Sequence, residues 1–225
     1  MIIEAKSLAR RFQQRWAYAH IDLELQQGER LLLIGANGSG KTTLLRSLAT
    51  LLPPSQGELS IFGVDIRNPR TIRPRIGFVS HDSGLYSDLS ALENLQVYSS
   101  LMAKTYKQKE LEEMIEQVGL ELRNEPVHTY SAGMKKRASI ALLLLKKPEL
   151  ILLDEPFSAL DPKGVEELSE LFLQLGSTIV IASHQVESAA HICTRAILLE
   201  NGLIRWKGEA NNAWKAWRTA QRSSL

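Results

Sequence analysis

Short apolar runs alternate with polar stretches along most of the chain. Runs bounded by glycine, proline or polar residues predict β-strands. The predicted strands are 2–8, 21–25, 31–34, 59–62, 76–79, 151–154, 179–183 and 196–199. Helical patterns separate the later strands, which favours a parallel sheet, whereas short glycine-containing turns such as 26–29 join the early ones and favour antiparallel pairing. We therefore predict an α/β fold with a mixed-sheet core.

Between residues 81 and 145 the pattern changes to polar helices without a convincing strand. Segments 110–118 and 138–145 have the composition and spacing of helices. We interpret this region as a helical lobe inserted between two core strands. The chain, residues 1–225, would then be a single domain with a core of about 1–80 and 146–208, a lobe of about 81–145 and a C-terminal helix at 209–225.

Charge and cysteine content limit the class of protein. A net charge of +2 is too small to indicate a nucleic-acid surface, which usually shows a concentrated basic stripe. We expect the basic clusters 135–137 and 146–147 to be solvated. The single cysteine, Cys193, excludes an intrachain disulfide or a cysteine metal cluster and fits a reducing cytosol.

Neither a membrane span nor a secretion signal is evident. The longest apolar stretches, 140–145 and 150–153, are far shorter than the about 18 residues that a membrane-spanning helix needs. The first residues resemble a strand and lack a basic region followed by a long apolar segment. We expect a soluble chain.

One segment matches the phosphate-loop pattern G-x-x-x-x-G-K-[S/T] at every fixed position. It reads Gly35-Ala36-Asn37-Gly38-Ser39-Gly40-Lys41-Thr42, and it follows predicted strand 31–34 and precedes a helix that begins near Thr43. The glycines let backbone N–H groups converge on one anion, and the helix N-terminus adds partial positive charge. Lys41 would reach the β- and γ-phosphates and Thr42 would bind Mg²⁺. The alternative is a glycine-rich turn with an incidental lysine.

A second apolar strand ends in two acids, Asp154 and Glu155. Carboxylates at the end of a buried strand are costly unless they face a metal or polarise a water molecule. We interpret the segment as a Walker B strand in which Asp154 holds Mg²⁺ and Glu155 acts as the general base. The alternative is that both acids cap a helix near Pro156.

Three further segments narrow this interpretation. Tyr130-Ser131-Ala132-Gly133-Met134 leads into an apolar helix, Ser158-Ala159-Leu160-Asp161 follows the Walker B strand, and Ile179-Val180-Ile181-Ala182-Ser183-His184 ends a strand in a histidine. With these segments in this order, the chain resembles the nucleotide-binding domain of ATP-binding cassette (ABC) transporters from about residue 2 to residue 208. The resemblance implies a P-loop NTPase core of the ABC ATPase type.

The resemblance implies roles for these segments. Ser131 and the backbone of Gly133 would contact the γ-phosphate of an ATP molecule held by a second chain. Asp161 would lie in the D-loop that couples the two sites, and His184 would donate to the γ-phosphate and the attacking water. Ala132 and Met134 depart from the family's commoner glycine and glutamine.

Two further positions carry implied roles. Phe12 occupies the place of the aromatic residue that stacks on adenine, with Trp16 and Tyr18 as alternatives. His81 stands where family members usually place a glutamine that touches Mg²⁺ and marks the joint with the helical lobe. A bulky, titratable imidazole argues against Mg²⁺ coordination there and leaves the hinge role.

The implied protein is a transporter's cytosolic ATPase subunit, peripheral on the cytoplasmic face of the membrane, that uses ATP and Mg²⁺ and does not bind nucleic acid. Its partners would be a second ATP-binding chain and an integral membrane subunit that docks near residues 81–95. A signature that ends in Gly133-Met134 resembles export-type members. The alternatives are a soluble ABC ATPase that acts on ribosomes or DNA, a P-loop kinase, and a nucleotide-gated module without turnover. The cargo is not encoded in any motif.

The C-terminal segment is amphipathic. Trp214 and Trp217 lie three residues apart among Lys215, Arg218 and Arg222. The pattern is typical of a membrane-surface helix and also of a short helix that packs both indoles onto the core. We expect packing.

Overall fold

The computed structural model describes residues 1–80 and 84–223. The strands are β1 Ile3–Phe12, β2 Arg15–Leu25, β3 Arg30–Ile34, β4 Gln56–Ile61, β5 Val64–Asp65, β6 Ile76–Val79, β7 Leu150–Asp154, β8 Thr178–Ser183, β9 Arg195–Glu200 and β10 Leu203–Glu209. The helices are α1 Lys41–Leu48, α2 Ala91–Leu101, α3 Gln108–Gln117, α4 Ala132–Lys146, α5 Pro162–Gln174, α6 Val186–Ala190 and α7 Ala213–Ser223.

These strands form two sheets. An antiparallel four-stranded sheet has the order β2-β1-β4-β5, and a six-stranded sheet has the order β10-β9-β3-β8-β7-β6. The strands of the larger sheet are parallel except for β10, which pairs antiparallel with β9. The predicted α/β class and its mixed pairing are therefore confirmed, but the antiparallel strands form a separate sheet.

Alternating side chains of the larger sheet fill two different cores, as the two-residue period of a strand requires. In β3, Leu31 and Leu33 pack with α1 and the four-stranded sheet, whereas Leu32 and Ile34 pack with the helices on the other face. Both sets are fully buried. The six-stranded sheet is thus the middle of three layers, and its strands read as continuous apolar runs because both faces are covered.

The sequence reading missed β10, β5 and the first half of β2. β10 has an alternating and partly exposed pattern with the polar residues Arg205 and Lys207, and it lies at the edge of its sheet. Asn201 and Gly202 join it to β9, and both have positive φ angles, as a type I′ hairpin turn requires. The hairpin of β9 and β10 could therefore have been predicted from the Asn201-Gly202 pair.

Helices α2, α3 and α4 lie between β6 and β7 in the chain, where the helical lobe was predicted. Within described residues 84–149 there is no strand. The buried leucine and isoleucine residues of these helices belong to the same core as one face of the larger sheet. None of the described helices is both long and apolar enough to cross a bilayer.

The expectation of solvated basic clusters is wrong for three residues. Lys136 is only 8% exposed, and Arg137 pairs with Glu167 at 2.9 Å with only 12% of its side chain exposed. The Lys146 ammonium donates to the carbonyl of Arg73 at 2.7 Å. Lys136 lies four residues before buried Ile140 and therefore on the inner face of α4, which the helical period would have indicated.

The two indoles of α7 behave differently. Trp217 is 8% exposed and joins the core beside Ala213, whereas Trp214 is 39% exposed with the Arg218 guanidinium 5.7 Å from its ring centre. The expectation that both indoles pack is therefore right for Trp217 and wrong for Trp214. α7 lies against α6 and β9.

We expect Trp217→Ala to destabilise the protein by about 3 kcal/mol, because truncation of a buried aromatic side chain leaves a cavity. The melting temperature should fall by roughly 6–12 °C. Trp214→Ala is the matched control and should shift it by less than about 2 °C, since surface changes are usually small. Equal shifts for both variants, measured by circular dichroism, would contradict this packing.

Candidate functional site

The phosphate-loop segment lies where the larger sheet meets α1. β3 ends at Ile34, the loop turns back, and α1 begins at Lys41. Gly40 has a φ of 105°, and a Cβ atom there would lie 2.3 Å from the carbonyl oxygen of Ala17. Any side chain at this position would clash with the backbone of β2, so glycine is what allows the loop to pack directly against that strand.

Lys41 is turned inward onto the loop. Its ammonium donates to the carbonyl oxygens of Gly35 at 2.7 Å and Ala36 at 3.1 Å. The residue is 6% exposed, and burial lowers its pKa while the nearby carboxylates of Glu155 and Asp154 oppose that change. The loop thus holds a buried cation at the centre of the anion cradle that the sequence predicts.

Asp154 ends β7 with both carboxylate oxygens buried and without a hydrogen-bond partner among the described residues. The residue is 1% exposed. A buried carboxylate without donors is stable only beside a cation. An oxygen-only pair, the carboxylate of Asp154 and the hydroxyl of Thr42 at the start of α1, is the type of ligand set that Mg²⁺ prefers. The residues therefore fit the predicted metal.

Glu155 is fixed in place by the end of β8. Its carboxylate accepts hydrogen bonds from the Ser183 hydroxyl at 2.9 Å and the His184 backbone N–H at 3.0 Å, and it lies 2.8 Å from His184 Nδ1. Glu155 also has a φ of 50°, a strained value for a residue with a side chain. Ser183 was not recognised as a site residue in the sequence, because a serine at a strand end carries no signal by itself.

A cleft of about 640 Å³ opens over these groups. It is lined by Phe12, Arg15, Trp16, Ala17, Asn37, Gly38, Gly40, Lys41, Thr42, Thr43, Glu155, Ser158, His184, Asn201 and Gly202. The structure thus brings together the loop, the predicted base and the predicted switch histidine. Arg15 and the Asn201-Gly202 turn are additions that the sequence reading missed.

The rim of the cleft carries two aromatic rings on the β1–β2 hairpin. Phe12 is 47% exposed and Trp16 is 40% exposed. Tyr18, the third alternative for base stacking, is wrong, because its ring is fully buried and its hydroxyl donates to Ser47 at 2.6 Å. Phe12 remains the prediction, with Trp16 as the alternative on the same rim.

The remaining loop residues lie behind the cleft. Ala36 and Ser39 line an adjoining cleft of about 780 Å³ against α7, and the Ser39 carbonyl accepts from the backbone N–H of Gly202 at 3.1 Å. Gly35 is buried beneath them, and its carbonyl accepts from Lys41. The β9–β10 turn therefore supports the loop from outside.

Ser131, Gly133 and Asp161 do not line the cleft, whereas Ser158 at the start of the D-loop does. Ser131 is the exposed N-cap of α4 and accepts from the Met134 backbone N–H at 3.2 Å. A Cβ atom on Gly133 would lie 2.8 Å from the Ala159 carbonyl, so the signature packs against its own D-loop. Asp161 caps α5 by accepting from the Gly164 N–H at 2.9 Å. His81 lies outside the described residues, and its hinge role stays a prediction.

Comparisons with known proteins agree with this geometry. A family model with the description ABC transporter matches residues 18–158. The bacitracin transport ATP-binding protein BcrA of Bacillus licheniformis is 33% identical over 209 residues, covering 90% of this chain and 68% of that protein. The thiamine import ATP-binding protein ThiQ of Escherichia coli O157:H7 is 32% identical over 207 residues, covering 87% of this chain and 89% of that protein.

Solved structures show the same architecture. The dimeric post-hydrolysis state of the ATP-binding cassette MJ0796, bound to ADP and Pi, has a TM-score of 0.87 and 27% sequence identity to this chain. The match covers 93% of this chain and 99% of that one.

We expect Glu155→Gln to keep ATP binding within about threefold of wild type and to lower ATP turnover at least about a hundredfold. The amide can still be held by Ser183 and His184 but cannot accept a proton from water. Turnover is measured by phosphate release and binding by a fluorescent ATP analogue. Glu170→Gln, an exposed carboxylate on α5, is the control. Turnover of Glu155→Gln within threefold of wild type would reject Glu155 as the base.

Proposed function

We propose that this chain, which belongs to the ABC transporter family as an ATP-binding subunit and is an ATP hydrolase, powers export through a separate membrane subunit. It does so by closing and opening a dimer around ATP. Each ATP molecule is held between the phosphate loop of one chain and the signature segment of the other. Binding closes the dimer and hydrolysis reopens it.

The observation that supports this proposal is that the helical lobe contributes no described residue to the cleft. Every lining residue of the 640 Å³ cleft comes from the core, and none comes from described residues 84–149. The N-terminus of α4, with Ser131 at its cap, is exposed and does not line this cleft. The N-terminus of a helix as long as α4 can bind a phosphate group, and a second copy of the chain would supply such an N-terminus. The MJ0796 cassette is a dimer in its solved structure.

The chemistry follows from the groups in the cleft. When phosphate enters, Lys41 exchanges its bonds to the Gly35 and Ala36 carbonyls for the β- and γ-phosphate oxygens. Glu155, held by Ser183, orients and deprotonates the attacking water, while His184 donates to the γ-phosphate. Mg²⁺ held by Thr42 and Asp154 would neutralise phosphate charge. The residues thus act by position and charge, as phosphoryl transfer requires.

The proposed docking surface for the membrane subunit is the loop before α2. The buried amide of Asn94 accepts from the Tyr86 N–H at 2.7 Å and donates to the carbonyls of Tyr86, Leu89 and Ser90 at 3.1, 3.3 and 2.9 Å. This clamp fixes the loop and leaves Tyr86 48% exposed. Leu85 is half-buried against the helical core, so Tyr86 is the apolar side chain that a partner can cover.

Export and position at the cytoplasmic face of the membrane are parts of the proposal. The resemblance of Tyr130 to Met134 to export-type signatures supports export. The name of the ThiQ relative states import, so family membership leaves the direction open. The alternative is an ABC-type ATPase that is not coupled to transport, and it requires no membrane partner at Tyr86.

A complementation experiment tests the composite site. Ser131→Arg and Lys41→Ala chains should each lose at least about 90% of ATP turnover as homodimers, because each homodimer lacks one half of both sites. Mixed in equal amounts, they should form dimers with one intact site and regain a turnover above both parents. No gain on mixing, with dimers confirmed by mass photometry, would contradict a site shared between chains.

Tyr86→Asp tests the docking surface. The charge should abolish co-purification with the proposed membrane subunit and leave ATP affinity within about twofold, since Tyr86 lies outside the cleft. Leu122→Asp, which changes another exposed apolar residue of the lobe, is the matched control and should co-purify normally. Retained co-purification of Tyr86→Asp would remove this surface from the proposal.

A further inference from the structure

Lys136 is a buried lysine with no part in the chemistry described so far. It lies on α4 five residues after Ser131 and is 8% exposed. Its ammonium donates to the carbonyl oxygens of Ser80 at 3.3 Å and Asp154 at 3.4 Å. Burial lowers its pKa, and the Asp154 and Glu155 carboxylates oppose that change.

The two acceptors are the backbone at the ends of adjacent parallel strands. Val79 of β6 pairs with Leu153 of β7, so Ser80 and Asp154 leave the sheet side by side. The same ammonium therefore binds the end of β6 and the end of β7, which is the strand that ends in Asp154 and is followed by Glu155. The burial of a charge between two strand ends is costly and is stable only with such partners.

The same helix presents the signature. Ser131 caps α4, and Gly133 packs against Ala159 of the D-loop so closely that a Cβ atom would lie 2.8 Å from the Ala159 carbonyl. The first two turns of α4 thus contact the D-loop and, through Lys136, the ends of β6 and β7. Lys135, the preceding residue, instead bonds to the exposed His128 carbonyl at 3.4 Å.

We propose that Lys136 is a positioning residue that locks the signature helix to the ends of β6 and β7, so that the Ser131 offered to the partner's ATP and the Asp154 beside the chain's own ATP move as one body. The inference rests on the proposed composite site. Lys136 acts through main-chain atoms and touches neither ATP nor the metal. Its loss would misplace groups in both sites of the dimer at once.

The first test uses Lys136→Met, which keeps the length of the side chain and removes its charge. We expect turnover to fall at least about tenfold, since small misplacements of reacting groups are costly, while ATP binding stays within about twofold. The melting temperature should fall, because Lys136→Met removes one of the two cations near the buried Asp154 carboxylate, and loss of one partner of a buried charge is destabilising. Lys136→Arg should recover part of the turnover, and Lys135→Met should stay within twofold. Normal turnover of Lys136→Met, or a loss of turnover accompanied by weaker ATP binding, would overturn the proposal.

The second test separates the two sites. In the reference pair, a Ser131→Arg chain supplies the phosphate loop and a Lys41→Ala chain supplies the signature. Lys136→Met is added to either chain in turn, and both pairs should lose at least about tenfold in turnover. A loss only when the Ser131→Arg chain carries the change means that Lys136 supports Asp154 alone, and this overturns the proposal. If the reference pair itself is inactive, the composite site fails, and the homodimeric Lys136→Met protein alone decides whether the lock matters.

Discussion

A carboxylate buried at the end of a strand is the constraint on which the site depends. Asp154 is 1% exposed, and neither of its oxygens has a hydrogen-bond partner within the described residues. Burial of an unpaired carboxylate lowers the stability of the fold by roughly several kcal/mol, so the fold needs positive charge beside this carboxylate. Lys41 approaches from the phosphate loop and Lys136 from α4, and both interact electrostatically with Asp154. The ligand-binding edge is therefore stabilised by two ammonium groups, and Lys41 also attracts the phosphates of ATP.

The parallel sheet explains why distant residues meet at that edge. β3, β8 and β7 are neighbours and point the same way, so their carboxyl ends coincide. The phosphate loop follows the first of them, His184 follows the second and Glu155 follows the third. Because both faces of the sheet are covered by apolar layers, polar groups are concentrated at its ends. The site is thus a consequence of strand order together with burial on both faces.

Much of this site could be predicted from the sequence because its groups lie in contiguous motifs. The phosphate loop and the Asp154-Glu155 pair each carry their spacing in one short segment. Ser183, Arg15 and Asn201 could not be predicted in the same way, since they reach the site from two separate strands and a turn and have no characteristic spacing. Tyr18 was wrongly considered for base stacking, because regular alternation would place it on the same face as Trp16. A register shift between the pairs Arg11–Trp16 and Arg10–Tyr18 separates the two rings, so that Tyr18 turns inward toward Ser47 while Trp16 stays at the rim. The division of the strands into two sheets could not be predicted either, because it depends on pairing between strands that are far apart in the sequence.

Lys41 and Lys136 are both buried near the carboxylates of Asp154 and Glu155, but they differ in whether they can exchange their hydrogen-bond acceptors. Lys41 bonds to carbonyls of its own loop, and incoming phosphate offers the same ammonium stronger, charged acceptors, so the exchange is favourable. Lys136 bonds to the ends of β6 and β7, which are part of the sheet and cannot move without breaking its ladder. One lysine is therefore suited to change partners when ATP binds and the other to stay fixed. Since the fixed lysine lies on the helix that begins at Ser131, the residue proposed to contact the partner's nucleotide is linked to the strand that ends in Asp154.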